Sequence, residues 1–282
     1  MVPWTGSTTK VGLAHSAYVC QFLRDEPKAI DFVEVPFELL RHDPTVLSVG
    51  QSTPLILHSA SLSLAGTVPA SEDTFGEIRE WIERTGTPWL GEHLAFITAE
   101  RGYFDQEHYP GEPYNIGYSV NPPFNAETVE IVAGVLARCE EYFGVPTLVE
   151  NQPVYFTPPG STMTQPEFIR EICARSSAGL LLDLTHLYIT ARATNVEPRE
   201  TLLELPLERV VEVHVAGAEP GMGVLWDDHT ERAPDEVYDL LAIVLAQGDV
   251  RAVTLEYNWS MHFPVSILKE EIARTRELAD CA

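Results

Sequence analysis

Gly179-Leu-Leu-Leu-Asp183-Leu-Thr-His186 carries the clearest mark of this chain's architecture. Its leucine run is short and apolar throughout, as a strand buried on both faces of a parallel sheet must be. It ends on two residues able to hold a metal. Upstream, residues 147–151 repeat the pattern and close on Val149-Glu150-Asn151. Downstream, residues 209–216 repeat it and carry Glu212-Val-His214-Val. Outward in both directions the same kind of run recurs at 10–15, 30–36, 54–59, 90–96 and 252–257, which makes eight predicted strands. Amphipathic patterns lie between them, clearest at 72–84, 126–143, 165–175, 234–246 and 264–278, whereas the first and second helices are poorly marked. Ser71-Glu-Asp, Asn125-Ala-Glu and Pro234-Asp-Glu place a cap, a proline or an acid at helix starts.

Strand–helix alternation of this kind is the signature of repeated βα units around a parallel sheet. Eight units predict one closed (β/α)8 barrel spanning residues 1–282 as a single domain. Two long stretches without periodicity, 98–123 and 217–233, each follow a strand. They therefore belong to the C-terminal face of the barrel, where such folds build their sites.

Bulk properties narrow the function classes. Hydrophobic residues make up 45% of the 282, enough for a large core. No stretch approaches eighteen uninterrupted apolar residues, so no membrane span is expected. The first ten residues lack the basic-then-apolar order of a signal peptide, which makes the cytoplasm the expected compartment. Eighteen basic residues against 42 acidic give a formal charge of −24. Such a surface repels phosphate backbones and disfavours a nucleic-acid partner. The four cysteines are widely spaced, with no CxxC pair, and read as ordinary thiols.

Chemistry is concentrated at the strand ends. The third strand ends in Leu57-His58-Ser59, the fourth in Gly91-Glu92-His93 and the fifth in Val149-Glu150-Asn151. The sixth gives Asp183 and His186, the seventh His214, the loop after it Asp227-Asp228-His229, and the eighth Glu256. An ionisable group inside an apolar strand is costly unless it is paired or bound to metal. One such residue is commonly a hydrogen-bonded core histidine. Six successive strands delivering His, Asp or Glu to one end point instead to a shared cation cluster. His58, His93, Glu150, Asp183, His186, His214, Asp227, His229 and Glu256 are the nine candidate ligands, too many for one ion and sufficient for two or three with bridging carboxylates. Imidazole and carboxylate without thiolate suit iron, zinc or manganese.

Other polar residues are weaker candidates. Glu34 is uncertain. Glu212 is expected on the face of His214, one layer deeper. Glu92 should point into the barrel wall or towards the helices. Asn151 could orient a ligand, whereas His15, His108 and His262 fall outside the pattern. Trp226, Tyr257 and Trp259 lie near the mouth, where packing is the commoner role of an aromatic residue.

With these residues in order, Asp31-Phe-Val-Glu-Val, Leu57-His-Ser-Ala-Ser-Leu-Ser-Leu, Gly91-Glu-His-Leu-Ala-Phe, Val149-Glu-Asn, Glu212-Val-His-Val-Ala-Gly and Asp227-Asp-His look like a known family. The chain resembles the multinuclear non-heme iron-dependent oxidative enzymes, which include the methanobactin and 3-thiaglutamate biosynthesis oxygenases. The likeness runs from about Lys10 to Asn258. It implies a barrel of the xylose-isomerase-like type, two or three irons of mixed Fe(II)/Fe(III) valence, and O2 as co-substrate. It also implies a ribosomally made precursor peptide as substrate, often modified at cysteine, and in many cases a separate peptide-recognition protein. Carried onto matching positions, one iron would be held by His58, His93 and Glu150. A second would use Glu150, Asp183, His214 and Glu256, and these six residues form the implied catalytic set. A third would sit on His186, Asp227 and His229. Many members have asparagine at the position of His186, lack the run Thr230-Glu-Arg after Asp-Asp-His, and carry an arginine after the Gly12-Leu pair, where this chain has Ala14.

A rival shares the ligand order. Endonuclease IV-type enzymes are trinuclear zinc barrels with His, His, Glu, Asp-x-x-His, His, Asp-x-His and Glu in succession. The alternative expectation is therefore a zinc- or manganese-dependent hydrolase or isomerase acting on a phosphate- or sugar-containing substrate. A repair nuclease needs a basic groove, to which −24 is unsuited. Sugar isomerases of this type usually place a lysine at the site, and Lys10, Lys28 and Lys269 are at no suitable strand end.

Overall fold

The computed structural model describes residues 8–101, 112–257 and 264–282. Strand β1 (Lys10–Ala14) is followed by helix α1 (Val19–Asp25), β2 (Phe32–Pro36) by α2 (Phe37–His42), and β3 (Leu55–Ser59) by α3 (Glu72–Thr85). β4 (Leu90–His93) leads into a hairpin, β5 (Phe96–Arg101) and β6 (Glu112–Val120), before α4 (Ala126–Phe143). β7 (Thr147–Glu150) precedes α5 (Gln165–Arg175), and β8 (Gly179–Asp183) precedes α6 (Leu184–Thr194) and α7 (Pro198–Leu203). After β9 (Val210–Val215) comes a second hairpin, β10 (Glu219–Gly221) and β11 (Val224–Trp226), then α8 (Asp235–Gln247), β12 (Ala252–Leu255) and α9 (Val265–Cys281).

Eight of these strands close a parallel barrel in the order β1-β12-β9-β8-β7-β4-β3-β2. All eight predicted strands are present, each shorter than predicted by a residue or more. Where the barrel ladder stops, the chain turns away from its neighbour and frees the last side chain for the mouth. The predicted caps also form. Ser71 and Asn125 accept from the backbone N–H groups of Thr74 and Thr128, and Pro234 and Pro264 immediately precede α8 and α9. Each such side-chain cap stabilises its helix by about 1 kcal/mol.

The poorly marked segments have physical reasons. α1 and α2 have seven and six residues and no side-chain cap, too short to show a 3.6-residue period. α6 starts directly after β8, and every residue from Leu184 to Ala191 is buried, so no polar face marks it as a helix. The two stretches without periodicity each contain a hairpin, β5–β6 and β10–β11, on the C-terminal side of the barrel strands.

Strand alternation sorts the interior into layers. Phe32, Ile56, Trp89, Leu148, Leu181 and Ala252 pack together as a cluster of their own, separate from the large core between strands and helices. Two residues on along each strand, on the same face, come Glu34, His58, Gly91, Glu150, Asp183 and Thr254. An apolar plug thus supports a polar layer. Among the described residues no helix is long and apolar enough to cross a membrane.

Candidate metal centre

The strand-borne candidate ligands all sit two or four residues beyond that plug or register beside those that do. His93 is the register partner of Glu150, and Asp183 that of His214. The structure brings the nine into three groups: His58 with His93 and Glu150; Glu150 with Asp183, His214 and Glu256; and His186 with Asp227 and His229. Within each group one donor atom per residue lies within 4.8 Å of the others. Glu34, Glu212 and His214 form a fourth such group, in which Glu212 lies one layer deeper, in register with Ala252.

Glu150 is the hub. Its Oε2 lies 3.0 Å from His58 Nε2 and 3.2 Å from His93 Nε2, and its Oε1 lies 3.6 Å from His214 Nδ1 and from His186 Nδ1. One carboxylate therefore faces imidazoles from four elements, as a bridging ligand would. Burial alone would raise its pKa, but His93, His214 and His58 together hold it well below the ordinary carboxylate range. Glu256 follows the same logic: burial is outweighed by His214 and His229, which pull its carboxyl down to about 2.

The remaining histidine nitrogens are assigned by their neighbours. His214 Nε2 lies 3.0 Å from Glu34 Oε2, so Nε2–H donates there and Nδ1 turns to Glu256 Oε2 at 3.1 Å. His186 Nδ1 donates to the Asn151 carbonyl at 2.8 Å, leaving Nε2 facing Asp227 Oδ2 at 2.8 Å. His93 Nδ1 is 2.7 Å from Ser119 Oγ on β6. A metal-ligating histidine characteristically has its second nitrogen held in this way. Asn151 also clamps Asp183: its Nδ2–H donates to the Asp183 carbonyl and its Oδ1 accepts the Asp183 N–H, both at 2.9 Å.

Two candidate ligand atoms are buried without a well-aligned hydrogen bond: Asp183 Oδ2, and His214 Nδ1, whose approaches to Glu256 and Glu150 are charge contacts only. Asp183 Oδ1 caps α6 by accepting the His186 N–H at 2.6 Å. Its other oxygen accepts no hydrogen bond, lying 3.6 Å from His186 Nε2, and burial raises the carboxyl to about 7. His229 carries a left-handed backbone, φ 58°, a conformation that costs a non-glycine residue energy and concentrates at functional sites. An imidazole–carboxylate donor set with two orphaned buried donors, both in the Glu150 group, fits a cluster of iron, zinc or manganese ions.

Gly91 makes the centre possible. A Cβ there would lie 2.8 Å from His58 Cδ2 and 2.9 Å from Leu181 Cδ1, so the His58 ring occupies the space a side chain would take.

Other expectations resolve individually. Glu92 points outward, as expected from its neighbour, and Glu212 sits below His214, accepting from Trp89 Nε1–H at 2.6 Å and Thr254 Oγ at 2.7 Å. Tyr257 packs: it is buried and its hydroxyl donates to Glu271 of α9 at 3.0 Å. Trp226 is 44% exposed and packs on Tyr155 with ring centroids 5.5 Å apart. His15 feels the charge of Asp43 and belongs to none of the groups above. His108, Trp259 and His262 lie outside the described residues. Sequence reading passed over Ser119 and Tyr155, which accepts the Asp227 N–H at 3.1 Å. Ser119 sits in the stretch 98–123 without periodicity and Tyr155 in the segment between β7 and α5, where no local signal marks them.

A family model of RiPP precursor modification enzymes of the MbnB/TglH/ChrH type matches residues 10–280. The chain belongs to this family. Its members modify ribosomally synthesised precursor peptides, so the centre is that of an enzyme. Among curated proteins, a UPF0276 protein of Caulobacter vibrioides is 28% identical over 261 residues, covering 90% of this chain and 89% of its own. One from Anaeromyxobacter sp. is 28% identical over 235 residues, covering 83% and 78%. In fold the chain is similar to endonuclease IV of Thermus thermophilus, with a TM-score of 0.60 at 16% identity over 95% of this chain and 99% of that one. It is similar also to the 3-keto-D-glucoside 4-epimerase of E. coli, with a TM-score of 0.57 at 16% identity and 95% and 99% coverage. These likenesses agree with the closed eight-stranded parallel barrel and concern the fold alone.

Proposed function

We propose that this chain is a multinuclear non-heme iron oxidoreductase that uses O2 to modify a residue, a cysteine in our reading, of a ribosomally made precursor peptide. The observation that carries the proposal is the Glu150 hub, which joins two three- or four-residue ligand groups through one carboxylate beside a third, in a chain of the MbnB/TglH/ChrH family. Two or three irons, held by the nine residues named, supply the one-electron chemistry with O2. The chain's own part is to hold and orient. Glu34, the Asn151 carbonyl and Ser119 fix the histidine nitrogens, and the buried layer keeps water from the groups beneath the mouth. A separate recognition protein that presents the peptide belongs to the same reading, as does a cytoplasmic location.

The experiment is elemental analysis with Mössbauer spectroscopy on protein purified without air, followed by O2 uptake with a cysteine-bearing peptide. Two or three irons per chain and O2 consumption are expected. A zinc-only protein that stays inactive after iron reconstitution would sink the proposal. The second reading, a zinc or manganese hydrolase or isomerase, draws on the endonuclease-type ligand order. It requires product formation with no O2 consumed, which an oxygen electrode decides.

A further inference from the structure

Beside the ligand groups the barrel mouth opens into a cavity of about 790 Å³, within the range of small-molecule sites. His93 and Asp227, members of two different ligand groups, belong to its lining. The rest comes from Phe96 of β5, from β6 and from the segments following β6 and β7, including Tyr118, Asn121, Gln152, Tyr155 and Phe156. Apart from His93 and Asp227, no Lys, Arg, His, Asp or Glu among the described residues lines it. On a chain with 42 acidic residues, that neutrality distinguishes the cavity from the surface around it.

Two of its amides are incompletely matched. Gln152 is only 6% exposed, and its Nε2 has no hydrogen-bond partner. Asn121 donates Nδ2–H to the Pro153 carbonyl at 2.8 Å, which fixes the orientation of its amide and leaves Oδ1 buried and unpaired. Buried polar groups are nearly always satisfied, so an orphaned donor and an orphaned acceptor on one cavity call for a ligand that offers both complements. A peptide unit does: its carbonyl accepts and its N–H donates. A carboxylate or a phosphate offers only acceptors and would leave Asn121 unmatched.

We propose that this cavity is a peptide-amide subsite, with Gln152 donating to the carbonyl and Asn121 accepting the N–H of the substrate backbone. The uncharged aromatic and proline lining takes an apolar side chain next to the residue presented to the ligand groups. This rests on the reading of the centre as one that modifies peptides, and it adds which part of the peptide is read and what flanks the modified residue.

The test measures binding to zinc-loaded full-length protein, so that nothing is oxidised. The probes are acetylated, C-amidated pentapeptides with a central cysteine and flanks of Leu or Phe, of Asp, or of Lys, titrated by calorimetry. Apolar flanks are expected to bind at least tenfold more tightly than either charged flank. Gln152→Leu should weaken the best peptide about tenfold at unchanged zinc content. N-methylating the flanking amide of that peptide should do the same on the unaltered protein, which keeps the test decisive if the variant fails to fold. Equal affinity for charged and apolar flanks, full affinity for the N-methylated peptide, or no peptide binding would each overturn the subsite. Binding as expected with no O2 uptake after iron loading would refute the oxidase reading and leave the subsite standing.

Discussion

Glu150 carries more of the centre than any other side chain, because both its oxygens face imidazoles. Replacing it by glutamine keeps the volume and removes the charge and one acceptor. Glu150→Gln should therefore cut bound metal to about one ion per chain or fewer, read by elemental analysis, and an unchanged metal count would refute the bridging role. Glu34 acts at one remove. Its carboxylate holds His214 Nε2, so that Nδ1 faces Glu150 and Glu256. Loss of such an outer partner typically weakens metal affinity by 10–100-fold. Glu34→Gln is expected within that range in a chelator competition, with the folded state retained.

The barrel strands set positions, and the segments between them set access. Gly217 shows how tightly the loop after β9 is threaded: a Cβ there would lie 1.8 Å from the Glu231 carbonyl oxygen, a backbone atom that cannot swing aside. This contact locks the return of the loop that carries Asp227 and His229. Gly217→Ala should destabilise the protein by about 3 kcal/mol, or roughly 6–12 °C in melting temperature for a chain of this size. A melting curve matching that of the unaltered protein would show that the loop relaxes freely. The β5–β6 hairpin has a comparable role through Ser119, which ties one wall of the mouth cavity to the ligand His93.

At the scale of the molecule, the centre couples protonation to stability. Burial opposes charge on His58, but Glu34 and Glu150 raise its pKa to about 10, and Glu256 and Asp227 raise that of His229 to about 9. Both values exceed the ordinary 6.5. In metal-free protein their contribution to stability is fully present below about pH 6.5 and is lost as the pH rises through about 9 and 10. Metal takes the place of those protons, so the loaded protein does not suffer the same loss. The melting-temperature gap between metal-loaded and chelator-stripped protein should therefore widen from pH 6.5 to pH 9, and a constant gap would contradict the proton–metal exchange.

The amino-acid sequence alone makes the barrel legible, because strand periodicity, caps and buried leucine runs are local properties that survive tertiary packing. It determined the nine ligand candidates as well, since an ionisable residue at the end of an apolar strand is conspicuous at once. The all-buried helix α6 and the short α1 and α2 were illegible for the converse reason: their periodicity is masked by burial or cut off by length. Only the tertiary structure decided that Glu150 faces four histidines, that Glu34 rather than a helix residue orients His214, and that Gly91 yields its space to His58. It alone placed Asn121 and Gln152, 31 positions apart in the chain, on one cavity. Those facts concern which side chains meet across a closed barrel, and the closure of the sheet, bringing β1 to β12, is what sets those meetings.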